Sequence, residues 1–292
     1  MDIQLYDAGH RSEVTATRIS VIIVNYNGKE DLRRCLAALQ IATIPAEVIV
    51  VDNASKDGSA DMVRTNFPEV RLLEPGKNLY FCAGNNYGVN AATGDYALLL
   101  NPDTVIPPDA LETLVNFMDG HPDYAGATLQ LRYPNGEIQR TCSRIPTYSY
   151  LLLTQTVLQF VFQSARERAE NHHWYYDENW DRTTDFDVEA IPGSCTLMRR
   201  EDLRLSDHLL LYFNEDDLAR RFRGQRFRFL AAPPIEHREK SVTRSAIATR
   251  LYFRDLIAYC TLHHGRIQAA LIWLLSRPLE WVIRWRLRKA AG

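Results

Sequence analysis

Apolar residues arrive in dense blocks along the first hundred positions, and each block stops on a polar residue. RISVIIVN (18–25), EVIVVD (47–52) and Ala97–Leu100 of YALLLNPDT (96–104) lack regular polar alternation, the pattern of strands buried on both faces. Between the blocks the period lengthens. After Asn27-Gly28 and Glu30, the positions Leu32, Cys35, Leu36 and Leu39 share one helical face. The polar loop 53–59 leads a short helix through Met62 and Val63, and VRLL (70–73) gives a further strand. This alternation predicts parallel pairing with right-handed crossovers, an α/β sheet of nucleotide-binding type. It carries no GxGxxG, so a dinucleotide fold is disfavoured.

The YALLL strand ends abruptly at Asn101-Pro102-Asp103-Thr104. Pro102 cannot donate to a ladder and biases Asn101 away from helix, so Asp103 stands at the strand's carboxyl end, where open α/β sheets bind ligands. A carboxylate there suits a hard cation, and a cation suits a diphosphate; the plainer reading is a turn before a helix that Asp109 and Glu112 cap. Upstream, residues 76–94 place Gly84 and Gly88 around Asn85 and Asn86. Small residues here permit close packing, close approach to a ligand, or both.

Beyond the helix Asp109–Met118 the chain changes character. YAGATLQL (124–131) and the segment after Pro134-Asn135-Gly136 read as a hairpin, while FDVEAI (186–191) and CTLMRR (195–200) add strands around Pro192-Gly193, so a mixed sheet is expected. The apolar stretch 147–163 fits either a core helix or a lid on the acceptor side. In LYFNEDDLARRFRG (211–224) a helix opens on Glu215, Asp216 and Asp217, which repel one another unless a cation or a catalytic role lies near. RFRFLAAPP then delivers His237, ahead of Arg238, Lys240 and Ser241, as a structural or a ligating histidine. The last 45 residues read as helix. Trp273, Trp281 and Trp285 lie among Leu and Ile, and five Lys/Arg face one Glu from Arg277 onward, which suits a membrane interface or a packing and dimerisation arm.

Composition narrows the partners. A formal charge of -2 gives no reason to expect nucleic acid. Five scattered cysteines, Cys35, Cys82, Cys142, Cys195 and Cys260, form no CxxC pair and point to reduced thiols rather than a disulfide framework or a zinc site. The first 17 residues are polar, with no apolar signal region, and are expected to fray; no window spans a bilayer.

Taken in order, VIIVNYNGKEDLRRCLAAL, EVIVVDNASKDGSADMV, NLYFCAGNNYGVNAATGDYALLLNPDT, GSCTLMRRED and LYFNEDDLARRF resemble the family 2 glycosyltransferases of the GT-A fold, in particular their bacterial rhamnosyltransferase-like branch. The resemblance covers about residues 18–255. It implies a GT-A domain over 18–245, with a nucleotide-sugar half (18–104) and an acceptor half (105–245), between a flexible N-terminus (1–17) and C-terminal amphipathic helices (246–292). By the same resemblance Asn25, Tyr26, Asn27 and Asp52 hold the nucleoside, with Asn53 and Ser55 lining that loop. Asn78, Gly84, Asn85 and Asn86 border the nucleotide sugar, and Asn101-Pro102-Asp103 takes the place of the DXD motif. Asp103 would then bind Mg²⁺ or Mn²⁺, with His237 as a further contact to metal or phosphate.

The implied reaction is inverting transfer from a nucleoside diphosphate sugar, dTDP-rhamnose among the candidates, to a polysaccharide or lipid-linked glycan, by a peripheral protein on the cytoplasmic face of the cell membrane. Its base is Glu215 or Asp216. Alignment on Asp217-Leu218 favours Glu215, because a gap would rotate the helix by about 100°. Two other departures stand out. Tyr80 replaces the usual glycine after Asn-Leu, and Ala190 replaces a tryptophan expected to wall the acceptor site. A non-catalytic nucleotide-sugar-binding scaffold is the alternative, favoured by Asn101 at the first acid's position. Nucleotidyl transfer ranks lower, since VNYNGKED offers Lys29 alone where a basic phosphate loop belongs.

Overall fold

The computed structural model describes residues 18–174, 180–239 and 245–291. The first 17 residues, Lys240 and Ser241 lie outside the described residues. The expected α/β order runs as β1 (Ile19–Asn25), α1 (Lys29–Leu39), β2 (Glu47–Asp52), α2 (Ser59–Asn66), β3 (Arg71–Leu73), α3 (Tyr80–Ala91) and β4 (Tyr96–Leu100). These four strands pair in parallel, with β1 between β2 and β4 and β3 outside β2.

The second half completes a mixed sheet. After β5 (Thr104–Val105) and α4 (Ala110–Gly120) come β6 (Tyr124–Arg132), β7 (Phe186–Val188), β8 (Cys195–Arg199) and β9 (Arg226–His237). The order across the sheet is β3-β2-β1-β4-β8-β6-β9-β5, with β7 alongside β9. β8 runs antiparallel to both β4 and β6, so the sheet turns mixed where β4 ends.

Strand period explains the two cores. Val21, Ile23, Val50 and Leu98 meet Leu32 and Leu36 of α1, Met62 and Val63 of α2, and Leu111 and Leu114 of α4. The alternate residues Ile22, Ile49, Val51 and Leu99 meet Cys82 and Val89 of α3. That second face also takes Leu218 of α7 (Asn214–Arg221), Phe253, Leu256 and Tyr259 of α8 (Ala246–His263), and Ala269 and Ile272 of α9 (Arg266–Ala291). The C-terminal helices therefore close one side of the sheet's core rather than trailing from it.

Several local expectations change. Past Pro134-Asn135-Gly136 the turn forms, but the returning strand reduces to one bridge, Arg132 with Ile138, because β9 occupies the edge of β6 that a hairpin would use. The runs flanking Pro192-Gly193 join different neighbours, β7 with β9 and β8 with β4 and β6. Residues 147–163 divide into α5 (Tyr148–Thr154) and a 3-10 turn, Val157–Phe160, before α6 (Gln163–Trp174). Asp109 precedes α4 without a side-chain cap, and Glu112 instead accepts from Thr43 Oγ1 at 2.8 Å.

Candidate active site

Parallel register sets the first cluster. Asn25 and Asp52 end β1 and β2 as direct partners, and Asn25 Nδ2 donates to Asp52 Oδ1 and to Ser55 Oγ, both at 3.2 Å. Ser55 N donates back to Asp52 Oδ2 at 2.9 Å. Asn27, left-handed at φ 53°, closes the loop: its N–H reaches Ser55 Oγ at 2.9 Å and its Oδ1 accepts from Lys56 N at 2.7 Å. Gly28 follows because a Cβ there would lie 2.8 Å from Asn25 Oδ1. Tyr26 projects outward, 54% exposed, over this buried polar floor.

Asn53 ties that floor to α3. Its Oδ1 accepts from Leu79 N at 3.2 Å and its Nδ2 donates to Tyr80 O at 3.0 Å, while Asn78 Oδ1 accepts from Tyr80 N at 2.7 Å. These three bonds hold Tyr80 at φ 60°, a conformation that costs a side-chain-bearing residue about 1–2 kcal/mol. Gly84 lets α3 settle on β1, since its Cβ would sit 3.0 Å from Val24 Cγ1. Asn85 Nδ2 bonds Phe81 O within the helix. Asn86 faces the other way, its amide exchanging bonds with the backbone of Leu205 at 2.8 and 2.9 Å, and thereby fixes the loop before α7.

The second cluster grows from a turn. Pro102 takes the second position of a β-turn in which Asn101 O accepts from Thr104 N at 3.3 Å and Thr104 Oγ1 at 2.8 Å. The chain then reverses into β5, a strand absent from the sequence pattern, whose Thr104 pairs with His237 of β9. Asp103 O accepts from Arg238 N, and Asp103 Oδ1 lies 3.3 Å from His237 Nε2. Gln139 settles the tautomer. It donates from Nε2 to His237 O at 2.7 Å, so the Oε1 lying 2.8 Å from Nδ1 accepts a proton there, and the ring turns its Nε2 toward Asp103. A carboxylate and an imidazole side by side are a donor set that suits a divalent cation. No group of three His, Cys, Asp or Glu is placed to hold one among the described residues, so phosphate and water oxygens would complete the shell.

The third cluster opens α7. Phe213, at φ 59°, turns the chain into Asn214-Glu215-Asp216-Asp217. Asp217 is structural: it is buried, Arg221 Nε lies 3.2 Å from its Oδ2 and His263 Nε2 2.9 Å from its Oδ1. Burial raises the Glu215 carboxyl. Burial and then the charge of Glu215 raise Asp216 well above the carboxylate range. Gly193 joins the clusters, since a Cβ there would lie 3.0 Å from Asn214 Oδ1 and 3.2 Å from Phe81 Cζ, and Ser194 O accepts from Asn101 N. A fourth contributor has no mark in the sequence. Asp255 of α8, fully buried, accepts at Oδ2 from the N–H groups of Leu210, Leu211 and Tyr212 at 2.8–3.1 Å, and Leu210 O in turn accepts from Phe81 N and Cys82 N at the start of α3.

A family model described as glycosyl transferase family 2 matches residues 20–205. The chain belongs to that family. It is a glycosyltransferase, and its rhamnosyltransferase-like character has a counterpart in an N-acetylglucosaminyl-diphospho-decaprenol L-rhamnosyltransferase of Mycobacterium tuberculosis, 24% identical over 92% of this chain and 89% of that one. Solved structures share the GT-A fold. A mannosyltransferase from Pyrobaculum calidifontis, in complex with GDP-Man and Mn²⁺, superposes with a TM-score of 0.53 at 17% identity over 94% of this chain and 74% of that one. S. aureus TarS 1-349 with UDP-GlcNAc gives 0.54 at 15% identity over 88% and 70%. The expectation of a mixed sheet behind a Rossmann-like half, with C-terminal helices, holds for this glycosyltransferase. No helix among the described residues is long and apolar enough to cross a membrane.

Proposed function

We propose that the protein is a divalent-metal-dependent, inverting glycosyltransferase that moves a sugar from a nucleoside diphosphate to a lipid-linked glycan. The observation carrying this reading is the Asp103–His237 pair, which shares the carboxyl rim of the sheet with the Asn25–Asp52–Ser55 floor. Three named proteins support it. The mycobacterial relative is named for rhamnosyl transfer to a diphosphodecaprenol, the Pyrobaculum enzyme holds Mn²⁺ with its donor, and the name of a Yersinia enterocolitica relative specifies undecaprenyl phosphate. GDP-Man and UDP-GlcNAc both occur on this fold, so the fold does not select the donor; rhamnose enters through the name of the mycobacterial relative, and its dTDP form through the family resemblance.

In this reading Tyr26, Asn27 and the Asp52–Ser55 loop bind the nucleoside, while Asn78 and Tyr80 border the sugar. Asp103 and His237 would hold the cation, which would supply charge neutralisation to the departing diphosphate. The acceptor hydroxyl attacks the anomeric carbon as its bond to the diphosphate oxygen breaks, and Glu215 takes the hydroxyl proton. Its raised proton affinity suits a base that must bind that proton. Asp216, one residue on, is the alternative base. The exposed Trp281 and Trp285 and the basic end of α9 suit the cytoplasmic membrane surface, with a dimer interface as the competing role.

The test is thermal stabilisation by UDP, dTDP, GDP and CDP with and without Mn²⁺. A shift for one nucleotide that needs both Mn²⁺ and Asp103 is expected. Absence of any shift sinks the proposal and leaves a scaffold with the fold of a transferase.

A further inference from the structure

A cleft of about 420 Å³ opens between α5, the 3-10 turn, α8 and α9. One end is polar and aromatic. Tyr212 and Tyr252 meet edge to face with ring centroids 5.1 Å apart, and the Tyr252 hydroxyl donates to Gln155 Oε1 at 2.6 Å. Tyr212 stands two residues ahead of α7, whose first turn carries Asp216. The other end is apolar, walled by Phe253, Leu279 and Ile283. The Arg277 guanidinium, paired with Glu280, lies outside this lining, 5.9 Å from the Phe253 ring centroid.

The cleft's surroundings extend the gradient. At the end of the 3-10 turn, Phe160, Val161 and Phe162 are 64%, 68% and 51% exposed, three large apolar side chains in succession. A soluble surface rarely shows such a run without a use for it. The helix supplying Leu279 and Ile283 also exposes Trp281 and Trp285, and Lys289 stacks over Trp285 at 4.3 Å.

We propose that this cleft is the acceptor channel, with the acceptor's sugar seated against Tyr252 and Gln155 beside Asp216 and its lipid hydrocarbon lying between Phe253, Leu279 and Ile283. The inference rests on the transferase reading above and deepens it. Aromatic faces with amide and hydroxyl partners recognise a saccharide, and an apolar trough recognises a hydrocarbon. Phe160, Val161 and Phe162 then mark where the chain leaves the bilayer.

The full-length protein tests this with geranylgeranyl diphosphate as the probe and inorganic diphosphate as its tailless control, by calorimetry. Geranylgeranyl diphosphate should bind at least tenfold more tightly than diphosphate. Ile283→Trp, which fills the apolar end, and the gentler Leu279→Gln should each weaken it tenfold or more. Nucleotide stabilisation in both variants reports that fold and donor site survive. Equal binding by wild type and variants overturns the channel, as does binding to anionic vesicles that accounts for all the affinity and ignores Ile283→Trp. Either result leaves the donor reading intact, whereas loss of nucleotide stabilisation in the wild type removes the donor reading itself.

Discussion

Gln139 grips His237 at both ends, accepting from the imidazole Nδ1–H at 2.8 Å and donating to the same residue's carbonyl at 2.7 Å. A ligating imidazole held this way has its lone pair fixed in direction, and loss of such an outer partner ordinarily lowers metal affinity 10–100-fold. Gln139→Leu should therefore weaken Mn²⁺ binding to the nucleotide complex by about that factor, while Asp103→Ala abolishes it. Titration calorimetry of Mn²⁺ into the nucleotide-saturated protein measures both. Unchanged affinity in Gln139→Leu would make the grip a device for packing alone.

Glu215 and Asp216 differ in what surrounds them, and this separates their roles. Burial, then Asp255 and Glu215, raise the Cys82 thiol at the start of α3, whereas burial and Asp216 raise the hydroxyls of Tyr150, Tyr252 and Tyr259. Glu215→Gln should reduce kcat by about 10²–10⁴. Asp216→Asn should cost less and leave the acidic limb of the pH–rate profile near its wild-type position, because burial rather than Asp216 raises Glu215. With both present, that limb should lie above the ordinary carboxylate range. The reverse ranking of the two variants would assign the base to Asp216.

Elements were legible where one chain segment sufficed to specify them. β1, β2 and β4 are continuous apolar runs, α1 has a clean helical face, and Pro102 ends β4 by chemistry local to it. The predicted site positions Asn25, Asp52 and Ser55 meet because parallel register forces them to. Gln139 and Asp255 were invisible for the opposite reason. Each acts across 98 or about 45 residues of sequence through a side-chain bond to backbone, which leaves no periodic or spacing signal. The hairpin beyond β6 failed similarly, since an edge claimed by β9 is a property of the whole sheet.

Tyr80 is held left-handed by Asn53 and Asn78, where the family resemblance places glycine. Glycine adopts this φ without the penalty of a Cβ, so Tyr80→Gly should stabilise the protein by up to about 1 kcal/mol, measured as a higher urea midpoint. If the ring narrows the sugar site, the same variant should accept more donors, read as flatter kcat/KM across a nucleotide-sugar panel. A lower midpoint with unchanged selectivity would show the ring serving the core instead.

Asp255 suspends the loop that leads to α7. Removing its carboxylate leaves three backbone N–H groups short of their acceptor, each buried donor costing about 1–3 kcal/mol before relaxation. Asp255→Ala should lose several kcal/mol in denaturant unfolding. Asp255→Asn keeps an acceptor oxygen and should retain most of the stability, yet lower kcat more than donor KM, since the same loop carries Phe213 into Glu215. A KM effect without a kcat effect would place Asp255 in donor binding.

His173 of α6 supplies the clearest pH dependence of stability. It is 6% exposed, stacks on Tyr150 with centroids 4.0 Å apart, and burial lowers its pKa to about 4. Above pH 6.5 the imidazole is neutral in both folded and unfolded chains and contributes no pH dependence. As pH falls from 6.5 toward 4 the unfolded chain takes up a proton that the folded one refuses, so stability declines across that window by on the order of 3 kcal/mol. His264, lowered to about 4 by burial and by Arg220, acts in the same window. His173→Phe preserves the ring stack and removes the proton site, so its stability should fall less steeply than wild type between pH 6.5 and 4 in parallel urea titrations. Identical slopes would mean that His173 takes up its proton in the folded protein as readily as in the unfolded one.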